Sequence, residues 1–381
     1  MKKLIVHIGS PKTGTTAIQN ALANARETLK SSGVVYPRGL INRISRNEIL
    51  DNHNEILDVI IRDPKNWGRS SRLLYGDVDS ERLKKTEGSR FLNELKGAER
   101  VVLSAELLFG YRPDDIGKFF DLCRECGFQQ PLVVAFLREP VGLYVSMAQQ
   151  VLRGSAALPP PSGFRMNYCG SLGKWTKREN TQLEAVAYDS VTDVVNHFGQ
   201  LINEHMDTQV GGKLKSLPNM NKSISAEAMI LLQDYQKRFR AKGENRVTHE
   251  VNELVEVFRS LNNSSVKQSK PQAKPWVTAK INEINRDEIE ALSAKFEVTL
   301  PYSPPATAEA APVALDESAL DVRDILCEWS PKTLNNLIVH SLHELASNAG
   351  TKADSNSRKE DNLSTWARNV IAKVLRKSDA S

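Results

Sequence analysis

The sequence predicts a doubly wound parallel α/β sheet followed by a helical C-terminal extension. Short apolar runs at residues 4–8, 100–103 and 132–137 are bounded by loop residues, and each is followed by a helical pattern. Such alternation implies parallel strands joined by right-handed crossovers. A glycine-containing loop links the first run to the first helix, and beyond residue 320 only helical periodicity remains. Ligands of such sheets bind beyond the C-terminal strand ends. The candidate residues below lie there.

The first strand, Leu4-Ile5-Val6-His7-Ile8, follows Met1-Lys2-Lys3. Its apolar stretch falls short of the roughly 7–15 residues of a secretory signal. No run approaches the roughly 18 apolar residues of a membrane span, so a cytoplasmic chain is expected. Ala17, Ile18, Ala21, Leu22, Ala25 and Leu29 recur at helical spacing, and Ser31-Ser32-Gly33 stops that helix before the extended Val34-Val35-Tyr36-Pro37. Residues 40–90 read as a polar insertion over a binding cleft, with a helix over 48–61 and a basic loop over 69–72. After the strands at 100–103 and 132–137, the prolines of 155–163 require an irregular loop. A helix over 173–182 and a strand over 185–188 then return the chain to the sheet.

Ser225 is placed as the N-cap of a helix to about residue 241. A second helix spans 249–261. Residues 300–320 form a Pro/Ala-rich linker. Ser330-Pro331 opens a helix bearing Leu334, Leu337, Ile338, Leu342 and Leu345 and ending at Gly350. A last helix carries Leu363, Trp366, Val370 and Val374. The expected organisation is one α/β domain over 1–299, the linker, and an extension over 321–381. The extension is expected to pack on the main domain or on a second copy of the chain.

With 381 residues, 40% hydrophobic and 25% charged, the composition is that of a globular protein with a sizeable core. Its net charge of +5 is spread among interleaved acids and bases, which argues against nucleic-acid binding. The basic end at Arg368, Lys373, Arg376 and Lys377 reads as a solvated helix end. Cys123, Cys126, Cys169 and Cys327 are too scattered for a disulfide framework, and the lone C-x-x-C reads as helix packing rather than a metal site. His340 and His343 lack the H-E-x-x-H spacing and read as surface residues. No metal site is expected. Lys174 and Trp175 read equally as the lining of an acceptor pocket or as an ordinary helix face.

The chemistry concentrates in two stretches. Gly9-Ser10-Pro11-Lys12-Thr13-Gly14-Thr15-Thr16 has the G-x-x-x-x-G spacing of a phosphate loop, but Thr15 stands where the Walker lysine belongs. The lysine has moved back to Lys12. Consecutive backbone N–H groups and a helix N-terminus still suit a phosphate-like anion, so a P-loop-type nucleotide-binding core is expected. The second stretch is Arg138-Glu139-Pro140 at the end of the 132–137 strand, with Ser146 on the following helix. An arginine fork there matches a phosphate bidentately, and the serine adds one hydrogen bond. Two anion sites at the ends of adjacent strands imply a ligand phosphorylated at both ends.

Together these stretches resemble the sulfotransferase superfamily, whose members use 3′-phosphoadenosine 5′-phosphosulfate (PAPS). The resemblance covers roughly residues 1–240. It implies that Pro11, Lys12, Thr13, Gly14, Thr15 and Thr16 form the 5′-phosphosulfate loop, and that Arg138 and Ser146 grip the 3′-phosphate. Val186-Ala187-Tyr188-Asp189 resembles the family's tyrosine-acid motif, which implies Tyr188 near the adenine. Asn221-Lys222-Ser223-Ile224-Ser225 resembles an N-x-S-x-S segment of bacterial members, which brings Asn221 and Ser223 to the nucleotide. Gly33-Val34-Val35-Tyr36-Pro37 resembles the stretch after their first helix.

The implied activity is transfer of a sulfuryl group to a hydroxyl of a carbohydrate or glycolipid, leaving 3′-phosphoadenosine 5′-phosphate (PAP). The migrating group carries less charge than a phosphoryl group and needs no metal, so Lys12 is expected to stabilise the leaving phosphate. A hydroxyl acceptor also needs a base. Glu106, just past the 100–103 strand, and His53, in the insertion, are the two candidates. A P-loop kinase or nucleotide hydrolase, and a non-catalytic PAP-binding assembly protein, stand as alternatives.

Overall fold

Strand alternation makes Leu4, Val6, Val101, Leu103, Val133 and Ala135 face one way and Ile5, Val102, Val134 and Phe136 the other. In the computed structural model every one of these side chains is buried. The structure describes residues 1–42, 48–177, 181–216, 223–240, 245–261, 268–302 and 315–353. It divides into two units, one comprising Met1–Glu139, Met166–Asn221 and Asn285–Tyr302, the other Pro140–Arg165, Lys222–Ile284 and Ser303–Ser381.

The first unit holds a four-stranded parallel sheet of β1 (Lys3–His7), β2 (Arg100–Ser104), β3 (Leu132–Leu137) and β4 (Gln182–Ala187), in the order β2-β1-β3-β4. Ile5 stands between Val102 and Leu132 in register. A parallel bridge from Val35 to Val101 adds one rung outside β2. The helices of this unit used below are α1 (Thr15–Asn24), α2 (Asn54–Ile61), α3 (Pro113–Glu125), α4 (Tyr168–Thr176) and α5 (Val194–Met206). Ile18 and Leu22 of α1 and Phe198 and Ile202 of α5 pack over Ile5, Val102, Val134 and Phe136. Burial of each such side chain contributes about 1.5–3 kcal/mol.

Several boundaries differ from expectation, and the causes are distant in sequence. The helix expected over 48–61 begins at Asn54, because Glu48–Ile49 pairs antiparallel with Ile41–Asn42. The segment expected as a basic loop is a helix, Arg69–Tyr75. Its N-terminus is held by Asp58 of α2, which accepts from Gly68 N at 2.7 Å and Ser71 Oγ at 2.6 Å. The helix expected over 173–182 is α4, which ends at Thr176, and residues from Gln182 pair with β3 instead. Ahead of and within its first turn, Met166 N donates to Asn285 Oδ1 (2.7 Å) and Cys169 N to Glu288 Oε1 (2.6 Å). The first long helix pattern resolves into α1 and Arg26–Ser31, joined at Ala25.

The second unit is helical. Pro140–Leu152, Ala226–Phe239, His249–Leu261 and Pro331–Ala353 bury Tyr144, Met229, Ile230, Phe258 and Leu337 in a common core. Ser225 caps its helix, accepting from Ala228 N at 3.1 Å. The helix expected to stop at Gly350 runs to Ala353 and packs on Ala226–Phe239 and His249–Leu261. The expected last helix, the basic end and most of the expected linker lie outside the described residues. Among those described, no helix is long and apolar enough to cross a membrane.

Candidate functional site

From β1 the chain goes outward to β2, whereas from β3 it goes to β4 on the opposite side. The crossovers therefore diverge at the C-terminal ends of β1 and β3, which is where a doubly wound sheet leaves a crevice. The loop at residues 9–14 leaves β1 at this point, and Arg138 leaves β3 there.

Local chemistry shapes the loop. Gly9 (φ 105°) and Gly14 (φ 77°) occupy left-handed conformations that cost glycine nothing. A Cβ on Gly14 would also sit 2.7 Å from Val194 Cγ1 and 3.4 Å from Tyr188 Cε2, so the loop packs directly on that ring. Ser10 anchors the loop to β3, its N and Oγ both donating to Phe136 O at 2.8 and 3.0 Å. Thr13 Oγ1 closes the turn on Ser10 O at 2.6 Å. Lys12 is held at φ 66°, unusual for a side-chain-bearing residue. α1 begins at Thr15 with no side-chain cap, and Ala17 N and Ile18 N both donate to Gly14 O, at 2.9 and 3.1 Å.

Arg138 faces this loop. Its Nη1 donates to Lys12 O at 3.2 Å, its guanidinium carbon lies 5.6 Å from the Tyr188 ring centroid, and Asp189 Oδ1 is 4.0 Å from Nε. Asp189 Oδ2 also accepts from Glu139 N at 2.8 Å, which fixes the turn after β3. Sequence reasoning did not single out Asp189 as a site residue, although it adjoins Tyr188 in the motif. Tyr168 of α4 was missed altogether: its hydroxyl donates to Arg138 O at 3.0 Å, and burial raises its pKa to about 12. Nothing near Tyr168 in the sequence signals that role.

Of the two candidate bases, Glu106 reaches the loop. Thr15 Oγ1 donates to Glu106 Oε2 at 2.6 Å, and Glu106 Cγ would be 3.4 Å from a Cβ on Gly9. His53 is fully buried instead. Its Nδ1 accepts from Ser104 N at 3.0 Å and its Nε2 donates to Pro37 O at 2.8 Å, so both nitrogens serve the backbone and neither faces an acceptor. Ser104 Oγ accepts from Gln19 Nε2 and shares a hydrogen bond of 2.8 Å with Nδ1 of the buried His7.

Burial lowers both histidines from 6.5, His7 to about 3 and His53 to about 4. Each is neutral in the folded chain, while the unfolded chain binds protons below pH 6.5. Stability is therefore lost as pH falls from that value, with His53's share exhausted near 4 and His7's near 3. Each costs about 1.4 kcal/mol per pH unit within its window. Urea unfolding between about pH 4 and 6.5 is expected to show both shares added, and His53→Gln to reduce the slope by about 1.4 kcal/mol per pH unit. An unchanged slope in the variant overturns the assignment.

Ser146, half-buried on Pro140–Leu152, and the exposed Ser223 belong to the second unit, and Asn221 lies outside the described residues. Pro11 and Thr16 are exposed on the loop and the first turn of α1. Trp175 is fully buried against Phe119 and Phe120 of α3, which leaves no face for an acceptor. Cys123 and Cys126 are buried free thiols whose pKa values burial pushes up, and His340 and His343 are exposed. A separate cleft of about 420 Å³, lined by Arg26, Tyr36, Arg38 and Arg90 among others, shares no residue with the loop cluster. No protein-family model matches the chain, and no curated protein matches it.

Proposed function

We propose that the chain is a PAPS-dependent sulfotransferase built on a P-loop-type core, acting on a hydroxyl of a carbohydrate or glycolipid. The observation that carries this reading is the contact of the Arg138 guanidinium with the Lys12 carbonyl, which brings the two stretches read as anion grips side by side. Tyr188 lies against both, through Gly14 and through Arg138. The acceptor class comes from the resemblance alone.

In this reading the loop amides and Lys12 hold the 5′-phosphosulfate, and Arg138 exchanges the Lys12 carbonyl for the 3′-phosphate. Glu106 takes the hydroxyl proton as the acceptor oxygen bonds to sulfur. The sulfur–oxygen bond to the 5′-phosphate breaks, and its electron pair passes to the phosphate oxygen that Lys12 stabilises. His53 is given no catalytic part, since its nitrogens are already engaged. Ser146 and Ser223 take no part in this reading.

The kinase or hydrolase alternative is disfavoured by Thr15. At the Walker lysine position it offers no charge, and its hydroxyl is taken by Glu106. Calorimetry of PAP against ADP and 5′-AMP tests the proposal. PAP is expected to bind more tightly than either, and Arg138→Ala to weaken PAP binding about 10- to 100-fold while leaving 5′-AMP nearly unchanged. Equal affinity for ADP, or indifference to the substitution, overturns it.

A further inference from the structure

A threonine hydroxyl carries one proton and donates one hydrogen bond. The resemblance implies that Thr15 gives it to a phosphate oxygen, but the structure has Thr15 Oγ1 donating to Glu106 Oε2 at 2.6 Å, the length of a charge-assisted bond. Thr15 is only 5% exposed, so solvent does not compete for the proton. Glu106 lies beside Gly9, where an added Cβ would meet its Cγ at 3.4 Å and its Cα at 3.6 Å. Thr15 is also the first residue of α1, directly behind the loop that would cradle the anion.

We propose that Thr15 is a positioning residue for Glu106, and that its proton moves from the carboxylate to an oxyanion entering the loop. This rests on the functional reading above. With the loop empty, the hydroxyl holds Glu106 in place and occupies one of its oxygens. An oxyanion beside Thr15 takes over that hydrogen bond and leaves Oε2 without its donor, so that this oxygen turns to the acceptor hydroxyl. Donor loading thus arms the base, and an acceptor that arrives first meets a carboxylate still engaged. The exchange is nearly balanced because one charge-assisted hydrogen bond replaces another.

The test uses the full chain with PAP as probe. The labelled carboxylate carbon of Glu106, assigned by its loss in Glu106→Gln, is followed by NMR at one fixed pH with and without saturating PAP. In the native chain the resonance is expected to move on PAP binding. In Thr15→Val it should start displaced and move less than half as far, and Thr15→Ser should restore the native response. PAP affinity in the valine variant should change by less than about tenfold. Thr15→Ala supplies the hydroxyl-free arm if valine does not fold. Equal PAP-induced movement in the native and hydroxyl-free chains overturns the exchange and leaves the functional reading standing. Failure of PAP to bind the native chain overturns both.

Discussion

Replacing Lys12 by methionine is expected to slow the conversion of PAPS to PAP by about 10²- to 10³-fold, the usual cost of removing one preorganised donor from a developing anion. Methionine matches the length of the lysine stem and is no less suited than lysine to φ 66°, so the loop should persist. The charge alone is lost. PAP affinity is expected to fall by a smaller factor, because the lysine contributes most where charge builds on the departing oxygen. Single-turnover measurements with water or a hydroxyl acceptor read the first quantity and calorimetry the second. An unchanged rate removes Lys12 from the mechanism. A native chain that binds PAP but transfers nothing favours the assembly-protein alternative.

Asp58→Ala is expected to destabilise the first unit by about 3–5 kcal/mol, the cost of stranding partners of a buried charge. Asp58 is fully buried, and Oδ1 accepts from Tyr111 OH at 2.9 Å and Arg62 Nη1 at 3.1 Å. Oδ2 serves Gly68 N and Ser71 Oγ. Removing the carboxylate leaves four donors without it, including a guanidinium that lies 4.8 Å from the Tyr111 ring centroid and pairs with the buried Asp115. Urea unfolding followed by circular dichroism measures the loss. A change below about 1 kcal/mol would mean that water or a rearranged Arg62 replaces the carboxylate.

The sheet was legible because its central strands are buried on both faces and so appear as unbroken apolar runs. The 132–137 strand was placed to the residue, and the 4–8 and 100–103 runs to within one. The turn after β1 was legible from glycine spacing, since Gly9 and Gly14 both take left-handed backbone. What failed to show depends on partners far along the chain. Arg69–Tyr75 lacks a local cap, and its anchor is Asp58. The helix Pro275–Phe296 went unassigned, its charged run Arg286-Asp287-Glu288 masking an apolar face at Trp276, Val277 and Ile281. Lys12, Arg138 and Glu106 stand out as candidates because they are charges at strand ends, and the structure brings Arg138 to Lys12 O and Glu106 to Thr15. Tyr168 was hidden, because an aromatic at a helix start gives no sign of what its hydroxyl will meet.

The dependence of α4 on Asn285 and Glu288 reaches into protein synthesis. Tyr168, which steadies the strand end bearing the guanidinium, sits in a turn whose amides are satisfied by side chains more than a hundred positions downstream. A nascent polypeptide released by the ribosome only as far as residue 221 would hold every strand of the sheet, yet that turn would still lack its acceptors. On the proposed function, nucleotide binding is therefore expected to arise late in translation, after about residue 302 clears the exit tunnel, and shortened chains to be poor binders however well their strands assemble.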